Sequence, residues 1–197
     1  MGDPRQIAQV TFYAVIVCWF VFGGIFLFRK RPPKTAEKRR DPVSFLGIFL
    51  QGCANGIVWF QKPGTRSSAV FPAGAVGVAF SLVTVALAIC SVWLVMAAVR
   101  TLGKQWAVAA RLVEGHRLVT EGPYQFVRNP IYTGLLGMLI ATGFALCHWK
   151  RLILAIAVFS IGMVIRVRAE EKLLRSAFGE EFEAYVRRVP AFLPGIF

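Results

Sequence analysis

Hydrophobic residues in this chain fall into long runs that no charge interrupts. Ile7–Phe28, Val43–Phe60, Phe71–Val99, Ile131–Cys147 and Leu152–Ile165 each lack Asp, Glu, Lys and Arg. About 20 apolar residues cross a bilayer as a helix. The first run meets that length, the second is shorter, and the third spans with tilt or extends past the bilayer. The last two are short and separated by "HWKR". They predict a tight helical hairpin that barely reaches the far side. The expected fold is an all-α integral membrane protein of about five transmembrane helices, a single membrane domain over residues 1–197. Its cytoplasmic elements are expected at 100–130 and 166–197. The first run does not read as a secretory signal, because it is too long, lacks a strongly basic start and shows no clear small-residue cleavage site.

Composition supports the membrane reading. The chain has 197 residues, 56% of them hydrophobic, and a soluble domain would not carry that fraction in such runs. The formal net charge is +13, from 23 basic and 10 acidic residues. Nucleic acid, an anionic membrane surface or an anionic ligand could each answer that charge. Its distribution chooses among them. Eighteen of the basic residues lie in Arg29–Asp41, Arg100–Pro130 and the tail from Arg166, against Arg5, Lys62, Arg66, Lys150 and Arg151 on the other side. Basic loops stay cytoplasmic, so the N-terminus is expected outside and the C-terminus inside, in a bacterial-type inner membrane. The charge is then mostly topological. With no basic aromatic platform apart from the membrane, nucleic acid is not an expected partner.

Cys18, Cys53, Cys90 and Cys147 lie singly in apolar runs, and His116 and His148 are the two histidines. Neither pattern resembles the clustered ligands of a metal site. "GCANG", Gly52–Gly56, is a small-xxx-small pattern and is expected to pack helices closely. Such patterns fit packing within the chain as well as a dimer, so oligomeric state stays open.

The polar chemistry lies after residue 100. In "GPYQFVRNPIYTG", Gly122–Gly134, Pro123 and Pro130 each remove a backbone donor and restrict the preceding residue. An ordered loop feeding a helix at Ile131 follows. A helix start favours an anion, Arg128 adds a forked donor, and Tyr124 and Tyr132 add aromatic faces suited to a purine or a cation. In the tail, Arg166 and Glu170 share a helix face. Gly179 should break the helix, and "EEFEAYVRRV" reads as a short amphipathic helix whose Phe182, Tyr185 and Val186 lie against the membrane or cap the site. An ionisable residue at the mouth of a span points to function. The combination suits a zwitterionic, partly aromatic cofactor facing water and a greasy acceptor facing lipid.

The motifs "LVTEGPYQFVRNPIYTG" and "EEKLLRSAFGEEFEAYVRRVPAFLP" together resemble the isoprenylcysteine carboxyl methyltransferase family, part of a wider group with the phospholipid N-methyltransferases. The resemblance covers roughly Leu102–Pro194. It implies a membrane methyltransferase using S-adenosyl-L-methionine, with a lipophilic or lipidated acceptor and membrane lipids as partners. It also implies a cofactor pocket lined by His116, Leu118, Gly122, Pro123, Tyr124, Asn129, Pro130, Tyr132, Gly134, Glu170 and Glu171. Arg128, Arg166 and Glu170 are the implied catalytic residues, with Arg166 toward the substrate. Asn129 stands where the family has histidine, so it keeps a hydrogen-bonding role and loses that of a titrating base. An acceptor carboxylate would need no base, whereas an amine would need Glu170 or Glu171. A sterol-reductase-like NADPH enzyme and a non-catalytic membrane homologue are the other readings.

Overall fold

The structure is a computed structural model that describes residues 4–27, 37–40, 42–60, 74–103, 111–113 and 117–192. The apolar runs are helical: α1 (Pro4–Leu27), α2 (Val43–Trp59), α3 (Gly74–Leu102), α4 (Pro130–Leu146) and α5 (Trp149–Phe178), followed by the short α6 (Glu180–Arg188). Of these, α1, α3 and α5 are long and apolar enough to cross a membrane, and α2 and α4 are shorter apolar helices of 17 residues. Large hydrophobic side chains stand outward, among them Phe20, Phe49, Leu82, Trp93 and Ile153. Water does not tolerate so broad an apolar coat, whereas a bundle set in lipid presents one. The molecule is an integral membrane protein.

The hairpin is tighter than "HWKR" suggests. Trp149, Lys150 and Arg151 already belong to the first turn of α5, and His148 caps it by accepting from the Lys150 N–H. At 30 residues α5 is about 45 Å long, against about 30 Å of hydrocarbon. Its last third, 169–178 with Glu170, Glu171 and Arg175, therefore continues beyond the apolar layer, and Arg166 stands one turn before Glu170. It ends at Gly179, whose φ of 49° suits glycine, and α6 begins there.

Helix α4 lies at the centre. One side packs Met138, Ala141 and Ala145 against Val15, Phe22, Val92 and Val95 of α1 and α3. The other sets Tyr132, Leu139 and Leu146 against α2 and α5. Trp19 Nε1 donates to Thr142 Oγ1 at 2.9 Å, tying α1 to α4. The α2–α5 pair is the most intimate, and here one expectation is corrected. A Cβ at Gly52 would meet nothing within 4 Å, and one at Gly56 would meet only Phe60. The buried stripe of α2 instead runs through Gly47, Gln51, Ala54 and Val58, at the spacing of one helix face. A Cβ at Gly47 would lie 2.6 Å from the Gly162 carbonyl oxygen and closer still to the Arg166 stem. "GCANG" carries small residues, but its glycines face away from the crossing.

One feature adds to the all-helical expectation. Glu37–Arg40 (β1) pairs antiparallel with Arg111–Val113 (β2), aligning Glu37 with Val113 and Arg40 with Arg111. This backbone ribbon brings the α1–α2 and α3–α4 connections together at one end of the bundle.

Candidate active site

Two clusters form where α4 and α5 leave the apolar core. The first is a clasp around Arg128. Its Nε donates to Glu171 Oε1 at 3.3 Å, and its Nη1 donates to the carbonyl oxygens of Val186, at 3.0 Å, and Val189. Arg175 holds the other Glu171 oxygen at 3.4 Å and reaches Glu183 at 2.7 Å. The chain after α6 then runs alongside the start of α4. The Arg128 N–H donates to Pro190 O at 2.8 Å, the Asn129 N–H to Ala191 O at 3.1 Å, and Thr133 Oγ1 to Phe192 O at 3.1 Å.

These contacts show how three expected site features are engaged within the chain. The approach to the α4 N-terminus is taken by tail carbonyls, which satisfy donors an anion would otherwise meet. Arg128 directs its donors to the tail and to Glu171. Asn129, through Nδ2, donates to Ala191 O at 3.1 Å, so it also fastens the tail. The sequence motif pointed to an anion fork because the tail that occupies it arrives about 60 residues later.

The second cluster is Tyr132, Glu170 and Arg166. Tyr132 O–H donates to Glu170 Oε1. Arg166 Nη2 lies 3.8 Å from the same oxygen, and its guanidinium carbon sits 4.8 Å from the centre of the Tyr132 ring. That ring therefore takes a cation on its face, but the cation is the protein's own. Arg166 Nη1 also donates to Gln51 Oε1 on α2 at 3.0 Å. The Glu170 side chain stays 30% exposed, against 15% for Glu171. Of the two adjacent glutamates, Glu170 has the more exposed side chain.

The remaining expected site residues take varied positions. Gly122 and Pro123 open a 3-10 turn, Gly122–Gln125, with Gly122 at φ 58° and Thr101 pressed against it. Tyr124 is buried with Ala98 and Val119. Its backbone oxygen accepts the Tyr185 O–H at 2.6 Å. Burial holds the Tyr124 phenol well above its usual range, helped by the nearby Glu170 charge. Burial raises that of Tyr185 too, opposed by Arg128. Leu118 packs against Phe182, Tyr185 and Val189, so α6 forms a lid over this region with its aromatics inward. Pro130 is fully buried. Gly134 faces α3, where a Cβ would stand 2.9 Å from Ser91 O, so it lets the two helices approach closely. His116 lies outside the described residues.

Gln51, which meets Arg166, and Asn55, which bonds to the Gln51 backbone one turn earlier, were not anticipated from the sequence. The signal was present: two amides four apart in an otherwise apolar run share one helix face, and polar groups in a span usually have work to do.

A family model described as phospholipid methyltransferase matches residues 80–181. Protein-S-isoprenylcysteine O-methyltransferase B of Arabidopsis thaliana is 34% identical over 99 residues, covering 49% of this chain and 50% of that protein. The cobalt-zinc-cadmium resistance protein CzcN of Cupriavidus metallidurans is 38% identical over 98 residues, 48% of this chain and 44% of that protein. The Schizosaccharomyces pombe protein-S-isoprenylcysteine O-methyltransferase is 33% identical over 87 residues, 44% and 37% respectively. The chain spans about half the length of the curated relatives it matches.

Proposed function

We propose that this chain, which belongs to the phospholipid methyltransferase family, is a membrane methyltransferase that uses S-adenosyl-L-methionine and acts on a lipophilic acceptor, first of all the carboxylate of a prenylcysteine-like or other lipidic substrate. The observation that carries this reading is the Tyr132–Glu170–Arg166 cluster, opposite charges and a phenol held where α5 leaves the apolar core. The relatives named for isoprenylcysteine O-methylation support it.

The residues present fit such a cofactor. A zwitterionic, cationic donor calls for a partly exposed carboxylate backed by positive charge, and the Glu170 side chain is 30% exposed while Arg166 stands beside it. Glu170 and Tyr132 would hold the cofactor, with the Gly122–Gln125 turn and Leu118 bordering it. S-adenosylmethionine, when bound, supplies an electrophilic methyl group on positively charged sulfur. The chain's own task is alignment and exclusion of water, which can supply much of the acceleration. Arg166 would orient an acceptor carboxylate, which is ionised at neutral pH and needs no base. The lid of α6 and the apolar helices would keep water from it.

The description of the matched family favours one second reading, an amine acceptor on a phospholipid. Glu170 would then take the amine proton. Both readings are tested with purified full-length protein in lipid nanodiscs. Calorimetric titration is expected to show binding of S-adenosylhomocysteine and none of NADPH. If neither ligand binds, the chain is a non-catalytic homologue, and NADPH binding alone would favour a reductase. Label transferred from methyl-tritiated cofactor separates the acceptors. A carboxyl methyl ester releases it as methanol in alkali, and a methylated amine retains it.

A further inference from the structure

Gln51 sits eight residues into α2, about 12 Å along a helix that is otherwise nearly all apolar. It is 7% exposed. Its Oε1 accepts from Arg166 Nη1 at 3.0 Å, and that contact settles which way the amide faces. Turned over, it would set N–H against N–H. The Nε2 group shares the same planar amide, so it lies in the immediate neighbourhood of the guanidinium. It is buried and has no hydrogen-bond partner among the described residues. One turn later, Asn55 Nδ2 donates to the Gln51 carbonyl oxygen at 2.9 Å, leaving Asn55 Oδ1 buried and without a partner. A buried amide left unmade carries a desolvation penalty, and hydrocarbon supplies no water to relieve it.

Packing holds the amide in place. Gly47 and Gly162 bring the α2 and α5 backbones together on either side of it, and a Cβ at Gly162 would meet the Gln51 stem at 3.3 Å. The donor cannot swing out to solvent without parting the helices. Helix α2 also lies outside residues 80–181, the part matched by the family model.

We propose that Gln51 is a specificity-determining residue whose amide N–H, together with the Arg166 guanidinium, receives an oxygen of a lipid-linked carboxylate acceptor. This rests on the function proposed above and narrows it. Two donors side by side present positive ends to the acceptor. They favour a carboxylate oxygen and disfavour an ammonium group, so the pair discriminates between the two acceptor chemistries. A site built to hydrogen-bond a substrate rejects an analogue that leaves its polar groups unmatched.

The experiment measures equilibrium binding of two probes, S-farnesylthiopropionate and farnesylamine, to the full chain in phosphatidylcholine–phosphatidylglycerol nanodiscs without methyl donor. S-adenosylhomocysteine is titrated separately. Wild type, Gln51→Leu and Gln51→Glu are compared, the last because it keeps an acceptor for Arg166 if the leucine variant fails to fold. Wild type is expected to prefer the carboxylate. Both variants should lose about tenfold or more of that affinity, Gln51→Glu should shift preference toward the amine, and S-adenosylhomocysteine affinity should stay within about twofold. The inference is overturned if wild type does not bind the carboxylate, or if a folded variant binds it as wild type does. Absence of S-adenosylhomocysteine binding alongside Gln51-dependent carboxylate binding would sink the proposed methyltransferase function and leave the Gln51 site standing.

Discussion

Tyr132 on α4 and Glu170 on α5 lie 38 residues apart in the chain and meet through one hydrogen bond from the phenol to the carboxylate. Arg166, one turn before Glu170, covers the same ring. A single contact thus joins both arms of the hairpin at the candidate cofactor site. Tyr132→Phe removes the donor and leaves the packing. Turnover and S-adenosylhomocysteine affinity are each expected to fall about tenfold, the scale of one hydrogen bond to a charged group. The helical circular dichroism should not change. Glu170→Gln should cost more, because the negative charge itself is lost. Unaltered affinity in both variants would remove this pair from the cofactor site.

Arg128 predicts a different phenotype. Its guanidinium bonds to Glu171 and to two carbonyls of the tail, and both charged side chains are largely buried. Arg128→Ala should destabilise the protein by about 2–4 kcal/mol and free the tail. Hydrogen exchange is the direct measurement, with faster exchange expected at Arg128 and Asn129, whose amides bond to that segment. Arg128→Lys should not restore protection, because an ammonium group cannot reproduce the fork. Loss of activity with normal protection would instead make Arg128 a group that touches substrate.

The glycines separate packing from composition. Gly162→Ala would place a Cβ 2.7 Å from the Gly47 carbonyl oxygen. A backbone atom cannot yield as a side-chain tip can, so the variant should lose about 1–3 kcal/mol. Gly52→Ala, where a Cβ meets open space, should be neutral or stabilising by up to about 1 kcal/mol. Thermal unfolding in a single detergent compares the two. Equal effects would show that the helix crossing does not depend on Gly162.

The buried phenols set an alkaline limit. Tyr124 and Tyr185 both have raised pKa values, chiefly from burial. The protonated form is therefore the one folding favours. Their contribution to stability is fully present below the unfolded value of about 10 and is lost as pH rises beyond it toward the folded values. Absorbance at 295 nm should show these two phenols ionising only above about pH 10, together with unfolding. Tyr185→Phe, which removes the donor to Tyr124 O, should cost about 1 kcal/mol. Ionisation of Tyr124 and Tyr185 near pH 10, without unfolding, would contradict the burial.

Much of the fold is legible without coordinates, because an apolar run in lipid has to satisfy its backbone internally and therefore forms a helix. Length and hydropathy are enough to locate α1 to α5, and a glycine is enough to end α5. The Arg166–Glu170 pairing is equally local, since four residues along a helix return to the same face. What the local pattern does not contain is who meets that face. Arg128 has the chemistry of an anion fork, yet its nearest acceptors are tail carbonyls from residues 186 and 189. "GCANG" has the composition of a helix crossing, but α2 turns Gly47 and Gln51 toward α5 instead. The sequence by itself determined the membrane-embedded helices and the presence of a charged, aromatic cluster after residue 100. Only the tertiary structure decided which members of that cluster hold the tail, which stay more exposed, and that an amide from the N-terminal half joins them. Helix rotation and long-range contact set those outcomes, and neither is encoded in the spacing of a single segment.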